Sequence, residues 1–328
     1  MRKLYILGMI LAMCATFSAC NDEWKEELYT QMISFKAPLG DNSLNEIYVR
    51  YQPDGMGIYQ LPVIVSGSKN NDRNIDVKIA VDEDTLRILN QEKFPVGRQD
   101  LWYVPLAKQH YSFESNICHI PAGENIQLYP IHFNFNGLEL DEKYVLPLTI
   151  EEDPSYIQNK YKGRYKALLG VNLFNDYSGT YNTTLMNIYI EGTTSDPAKV
   201  DTRVARVVGE NTIFFYAGST WVEDENRSRY KVFVEFGEAT EDEEGTVKGT
   251  LKLYGDASES EINIQKRIIQ HETIKYMERH LTTLELSYKY TDVTSNPDYP
   301  MTYEVKGSMT MERQINPLIP DEDQAIEW

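Results

Sequence analysis

From residue 30 onward the chain alternates apolar and polar residues with a period of two, and this limits its fold more than any other feature. Gln31-Met32-Ile33-Ser34-Phe35-Lys36, Ile47-Tyr48-Val49-Arg50-Tyr51, Leu61 to Val65 and Ile75-Asp76-Val77-Lys78-Ile79-Ala80-Val81 all carry it. Successive side chains on a strand point to opposite faces, so each of these segments buries one face and wets the other. Asp84 to Lys93 breaks the pattern and predicts a short helix, with Asp84 as its cap and Leu86 and Leu89 facing inward. Gln265 to His280 also carries helical spacing, at Ile268, Ile269, Tyr276 and Met277, against a strand reading of Ile262 to Ile268.

Pro121-Ala122-Gly123-Glu124 predicts a turn ahead of a long strand from Ile126 to Phe135. Tyr144 to Ile150 and Arg164 to Phe174 add two more strands, with Asp153 to Gly163 as a polar loop between them. Seven or eight strands in about 145 residues predict an immunoglobulin-like sandwich over residues 30–175. In Phe174-Asn175-Asp176-Tyr177-Ser178-Gly179-Thr180-Tyr181, turn formers flank Gly179 and a new strand begins at Tyr181, which puts a domain junction near residue 175. Beyond it, Thr184 to Ile190, Arg203 to Val208, Thr212 to Ala217, Arg229 to Phe236, Val247 to Tyr254, Ile262 to Ile268, Leu284 to Tyr290 and Met301 to Met311 alternate. Eight strands in about 150 residues predict a lipocalin-like up-and-down barrel or a second sandwich over 176–328, making the whole chain all-β. The acidic tail from Asn316 is expected to pack Trp328 back onto the body.

The first residues specify location. Arg2 and Lys3 precede an apolar run from Leu4 to Phe17, too short to span about 30 Å of hydrocarbon as a helix but long enough for a signal peptide over 1–19. The run ends in Phe17-Ser18-Ala19-Cys20, small residues before a Cys, as in a bacterial lipobox. Cleavage before Cys20 leaves its thiol to carry an acyl anchor of the diacylglycerol and palmitate kind, with 20–29 as a tether; each buried CH₂ of such chains contributes about 0.8 kcal/mol. The tether Asn21-Asp22-Glu23-Trp24-Lys25-Glu26-Glu27 is acidic. No later segment has 18 consecutive apolar residues.

Charge excludes one class of partner. With 32 Lys plus Arg against 50 Asp plus Glu the chain stands at −18, and loss of Arg2 and Lys3 takes it to −20, so nucleic acid is not expected as a partner. Three Cys, of which Cys118 alone is left unmodified, exclude a disulfide scaffold. A lone Cys in an exported chain reads as a small buried hydrophobe. His110, His119, His132, His271 and His280 are dispersed, with no metal-ligand spacing. No nucleophile elbow, P-loop or zinc-protease motif is present, so neither catalytic residues nor a cofactor are expected. The run Glu238-Ala239-Thr240-Glu241-Asp242-Glu243-Glu244-Gly245 lacks the spacing of a calcium loop and reads as a solvated hairpin connection.

Aromatics are the better lead to a ligand. Trp102 follows the Gly97-Arg98-Gln99-Asp100 turn, and Phe214-Phe215-Tyr216-Ala217-Gly218-Ser219-Thr220-Trp221 runs from a strand into a loop bearing Asp224, Asn226 and Arg227. Aromatic rings cover the apolar faces of pyranoses, and neighbouring Asp, Asn and Arg orient the hydroxyls. Tyr216, Trp221, Asp224, Asn226, Arg227 and Trp102 are therefore the candidate ligand-binding residues. The competing reading of Trp221 is a plug at one end of the barrel.

Several of these segments together resemble a family of Bacteroidetes surface lipoproteins from glycan-utilisation loci. They are Cys20-Asn21-Asp22-Glu23-Trp24, Ile33-Ser34-Phe35-Lys36-Ala37-Pro38, Ile47 to Tyr51, Leu61-Pro62-Val63-Ile64-Val65-Ser66-Gly67, Pro121 to Glu124, the Phe174 to Tyr181 linker and the Pro320 to Trp328 ending. The resemblance covers nearly all of the mature chain. It implies an accessory of the SusE/SusF kind, lipid-anchored in the outer membrane and facing the cell exterior, that binds an oligo- or polysaccharide beside a SusC/SusD-type importer. Two other roles fit the same resemblance: an assembly partner of the importer with no sugar contact, or a glycosidase without a readable signature. No motif of the family is a catalytic or binding motif, so it carries over no site residue.

Overall fold

The computed structural model describes residues 29–37, 43–140, 142–237, 246–253, 260–270, 273–274 and 276–327. The export segment with Cys20, the acidic run 238–245, His271 and Trp328 lie outside them. Among the described residues no helix is long and apolar enough to cross a membrane.

The alternating segments form strands, and their apolar halves face one another across a sandwich. One sheet runs β1 (Met32–Phe35), β3 (Met56–Ser66), β8 (Ile126–Asn134) and β6 (Tyr111–Phe113), antiparallel throughout. The other runs β2 (Asn45–Arg50), β10 (Lys166–Phe174), β9 (Tyr144–Ile150), β4 (Ile75–Val81) and β7 (Ile117–Ile120), with the short β5 (Val104–Pro105) beside β9. The β2–β10 and β5–β9 pairs are parallel. Ile33, Ile47, Leu61, Val77, Ile131, Phe133, Leu148 and Leu169 meet in the core between the sheets.

The helix α1 (Glu83–Lys93) is capped by Asp82 rather than Asp84. Asp82 accepts from the Thr85 backbone N–H at 3.2 Å and from its hydroxyl at 2.6 Å, whereas Asp84 lies in the first turn and pairs with Arg87. Leu86 is buried and Leu89 half-buried, against Leu44, Tyr103 and Val145.

The second half forms one closed sheet. Its strands are β11 (Gly179–Asn182), β13 (Thr202–Gly209), β14 (Thr212–Tyr216), β15 (Lys231–Phe236), β16 (Thr246–Leu253), β17 (Ser260–Gln270), β18 (Glu278–Asp292) and β19 (Met301–Ile315). Because β11 pairs with both β13 and β19, the eight close into a barrel. β12 (Asn187–Ile190) and β20 (Ile326–Glu327) add to β19 from outside the ring. Of the predicted strand from Thr184 to Ile190 only Asn187–Ile190 is extended; Thr184 and Leu185 turn the chain after β11. Within Gln265 to His280, where the sequence carries helical spacing, residues 265–270 and 278–280 are extended: β17 and β18 pair, with Ile268 opposite His280 and Ile269 opposite Arg279. Ile264 on this ladder and Met277 just before β18 are buried, whereas Ile268 is 65% exposed. Tyr181, Phe215, Val232, Leu251, Leu284 and Met309 fill the barrel interior.

A network of polar contacts fixes the passage from sandwich to barrel. Asn175 is 3% exposed; its amide donates to the Gly209 and Glu210 carbonyls at 3.0 Å, and its Oδ1 accepts from the Tyr177 and Ser178 N–H groups. Arg50, on β2 of the sandwich, reaches Asp176 at 2.8 Å and Asp323 at 2.5 Å. Arg313, on β19 of the barrel, donates to the Asn175 and Ser178 carbonyls. The Arg50 and Arg313 guanidinium groups lie 4.8 and 5.8 Å from the Phe174 ring centre.

Candidate functional site

After β14 the chain makes a series of tight turns. Gly218 takes φ +49°, and its N–H donates to the Tyr288 hydroxyl at 3.0 Å. A Cβ there would meet the Tyr290 hydroxyl at 2.2 Å, so only glycine fits. The Asp224 N–H then bonds the Trp221 carbonyl, and the Asp224 carboxylate caps the Asn226 N–H at 2.7 Å. These bonds leave Trp221 72% exposed, a ring standing in solvent and not a barrel plug.

The other predicted residues serve a seam between the two halves. Arg98 grips Asp100 through two bonds of 2.9 Å and also reaches the Glu223 carbonyl across the seam. Arg227 donates to the Asp100 carbonyl at 3.1 Å, and its other terminal nitrogen lies 3.6 Å from the Asp100 carboxylate. The Arg98 hydrogen bond holds the Asp100 carboxyl below its usual range, and the charge of Arg227 adds to this. Behind this latch, Trp102, Tyr216 and Arg227 line a cavity of about 10 Å³ together with Glu142, Lys143 and Arg206, the room of one water. Tyr216 is only 4% exposed. The Trp102 indole Nε1 is buried, with no hydrogen-bond partner among the described residues. The structure therefore gathers Trp102, Tyr216 and Arg227 in one place and sets Trp221, Asp224 and Asn226 on the loop beside it.

A larger concavity opens from the same seam. It has a volume of about 700 Å³ and lies between the outer face of the β2–β10–β9 sheet and the barrel strands β11, β13 and β19. The residues of β2 alternate, burying Ile47 and Val49 in the sandwich and turning Glu46, Tyr48 and Arg50 outward. Glu46 and Tyr48 form its floor with Gly170 and Asn172 of β10. Asn172 donates to Glu46 at 2.5 Å. A Cβ on Gly170 would stand 3.0 Å from that carboxylate, so glycine keeps the floor open. Lys143 and Arg206 border both the cleft and the small cavity, and Val222 and Glu223, directly after Trp221, line its mouth. Burial holds the Lys143 ammonium below its usual range, and the charges of Arg206, Arg227 and Lys93 push the same way against Glu223.

A second concavity, of about 710 Å³, lies along residues 152–161 beside β1, but its acids are already engaged, Glu152 by Lys160 at 2.6 Å and Asp153 by Lys78 at 2.8 Å. Among the described residues no group of three His, Cys, Asp or Glu could hold a metal ion. Sequence reasoning missed Glu46, Tyr48, Lys143, Asn172 and Arg206. On alternating strands Glu46, Tyr48, Asn172 and Arg206 read as the wetted face, while Lys143 lies in the connection ahead of β9, and only the packing of barrel against sandwich turns these positions into the walls of a cleft.

A family of domains of unknown function, DUF4973, matches residues 24–154, and a second family, described as a C-terminal domain, matches residues 165–310. Among solved structures, a multidomain protein including DUF1735 from Bacteroides ovatus is 39% identical, with 90% of this chain and 99% of that one covered and a TM-score of 0.77. A second protein of unknown function from Bacteroides ovatus is also 39% identical, over 90% of this chain and 100% of that one, with a TM-score of 0.78. A structure described as an auxiliary nutrient binding protein from Bacteroides thetaiotaomicron is 30% identical over 88% of this chain and 97% of that one, with a TM-score of 0.76. No curated protein sequence matches the chain.

Proposed function

The chain belongs to the same family as these Bacteroides proteins, and from that premise we propose that it is a lipoprotein of the outer membrane, facing the cell exterior, that binds glycans without turning them over and serves a SusC/SusD-type importer. The observation that carries this reading is the cleft of about 700 Å³ between sandwich and barrel, with the exposed Trp221 on the loop at its mouth. A volume of that order suits a short oligosaccharide, and Tyr48, Glu46 and Asn172 on its floor offer hydrogen bonds to hydroxyls. The relative described as an auxiliary nutrient binding protein supports an uptake role. The Phe17-Ser18-Ala19-Cys20 junction and the acidic tether after it support surface anchoring.

A glycan-array screen on the ectodomain from residue 21, followed by titration of the hits, tests the reading. Trp221→Ala is expected to weaken binding about thirty-fold, the scale of an aromatic hot spot of about 2 kcal/mol. Because the ring is exposed, the melting temperature should stay within a degree or two. Turnover of a bound glycan would move the protein to the glycosidases. A folded ectodomain that retains no glycan would leave the assembly role standing.

A further inference from the structure

We propose that the outer face of the β1–β3–β8–β6 sheet rests on the bilayer that holds the Cys20 anchor, an apolar sheet surface laid against lipid. The inference rests on the lipoprotein reading above and adds which side of the molecule meets the membrane.

Two strands of this sheet depart from the rest of the chain in composition. A quarter of the chain is charged, yet the 11 residues of β3 and the 9 of β8 include no Asp, Glu, Lys or Arg. Their inward residues fill the sandwich core. Ile58, Pro62 and Ile64 of β3 and Ile126, Leu128 and Pro130 of β8 point the other way, with Pro62 opposite Leu128 and Ile64 opposite Ile126. Ile58, Ile126 and Leu128 are 58%, 51% and 49% exposed. The opposing sheet follows the ordinary pattern, in which β4 turns Asp76 and Lys78 to water. A contiguous exposed apolar face marks a contact with a protein or with a membrane.

The position and the margin of the face favour the membrane. The chain from the anchor enters at one end of it: the Tyr29 N–H donates to the Ser68 hydroxyl at 3.1 Å, just beyond β3, and β1 follows. Tyr29 is nine residues from Cys20, a reach of about 30 Å at full extension, so the end of the face bearing Ile64 and Ile126 stays within that order of distance from the anchor. Met32 alternates with the core residue Ile33 and continues the face from β1 to Ile157 and Tyr161, with which it lines one concavity. Tyr161 is exposed, and the exposed Lys162 and Arg164 stand 5.5 and 5.6 Å from its ring centre. Tyr, Lys and Arg suit the border of an apolar layer, because ring and stem lie in it while the polar tip reaches water. The acids belong to the margins. Glu152 pairs with Lys160, Asp153 with Lys78, and Glu114 lies 3.7 Å from His132. Asp54 and Glu124 sit in the turns at opposite ends of the face, where Asp54 caps the Met56 N–H at 2.9 Å.

The test places an environment-sensitive fluorophore on the lipidated mature protein in phosphatidylcholine vesicles. With Cys20 acylated and Cys118 buried, one introduced cysteine is the sole reactive thiol. Emission from labelled Leu128→Cys is expected to shift to the blue of its value for the chain from residue 21 in solution, and to be quenched by brominated lipid. Labelled Tyr299→Cys, on the exposed link between β18 and β19, should do neither. Adding Ile58→Glu and Ile126→Glu should return the Leu128 label to its solution emission. An unshifted Leu128 label on vesicles would overturn the proposal and leave the face to a protein partner. Equal shifts at 128 and 299, or a shift that survives both glutamates, would overturn it too. A chain that carries no lipid would fail to enter the vesicles, which removes the lipoprotein reading. The same labels on the chain from residue 21, hung from nickel-chelating lipid by an N-terminal histidine tag, then decide the face independently of the native anchor.

Discussion

Cys118 faces the sandwich core from β7, opposite Val77, and burial pushes its thiol up to about 12. Alkylation proceeds through the thiolate. An ectodomain lacking Cys20 should therefore take up no iodoacetamide at pH 8 while folded, and one equivalent in guanidinium chloride. Mass spectrometry reads the difference, and labelling of the folded chain within minutes would refute the burial assignment. The sequence marked Cys118 as inert because a lone Cys in an exported chain reads as a small buried hydrophobe. It marked Trp102 and Trp221 as candidates, but the residues alone did not separate their fates. Trp221 is exposed because Gly218 and Asp224 turn the chain outward. Trp102 is held in the seam because Arg98 and Arg227 close over Asp100.

At the scale of elements, local chemistry accounts for most of what forms. The β18–β19 ladder pairs the alternating segments Leu284 to Tyr290 and Met301 to Met311, and Pro121 to Glu124 turns with Gly123 at φ +93°. Gly307 shows where neighbours decide. It sits inside β19 at φ +136°, and a Cβ there would meet the Leu185 carbonyl at 2.2 Å, where the link between β11 and β12 crosses β19. Gly307→Ala combines a strained backbone with a clash against main chain, so a loss of about 2–4 kcal/mol is expected. Urea denaturation measures it; a loss under about 1 kcal/mol would show that the crossing link yields. The cap of α1 carries the same lesson more mildly. Asp82 and Asp84 are equally good caps by type, and Asp82 wins because Lys166 of β10 lies 2.7 Å away to hold its carboxylate.

For the whole molecule, the passage through Phe174 to Ser178 is the element that joins the two cores. Arg50 ties β2 to Asp176 and to Asp323 near the C-terminus, and Arg313 clamps the carbonyls of the passage itself. Arg50→Ala removes both ion pairs and one face of the Phe174 sandwich. Scanning calorimetry is expected to show one transition for the wild type and two for the variant, sandwich and barrel melting apart. A single unchanged transition would place the coupling in the Arg98–Asp100–Arg227 latch instead. Anchoring belongs to this scale as well. Cys20→Ser is expected to move the protein from the membrane to the soluble fraction, and unchanged fractionation would remove the lipoprotein assignment.

What the sequence determined by itself was the class of structure. A period of two places side chains on alternate faces wherever the strand ends up, so an all-β chain with a sandwich and then a barrel or a second sandwich could be read before any contact was known; that β11 closes the second sheet while β12 stays outside the ring was decided by the tertiary structure. The Phe174 to Tyr181 turn chemistry is equally local. The cleft was not legible, for the same physical reason. Glu46, Tyr48 and Asn172 belong to positions that an alternating pattern assigns to water, Lys143 belongs to the connection ahead of β9, and nothing in their spacing says that a second domain will cover them. That covering is set by Arg50, Arg98, Arg227 and Arg313, whose partners lie from two to 273 residues away in sequence. Long-range ion pairs leave no periodic trace in a chain. Only the tertiary structure decided which wetted faces stayed wet and which became the walls of a binding site.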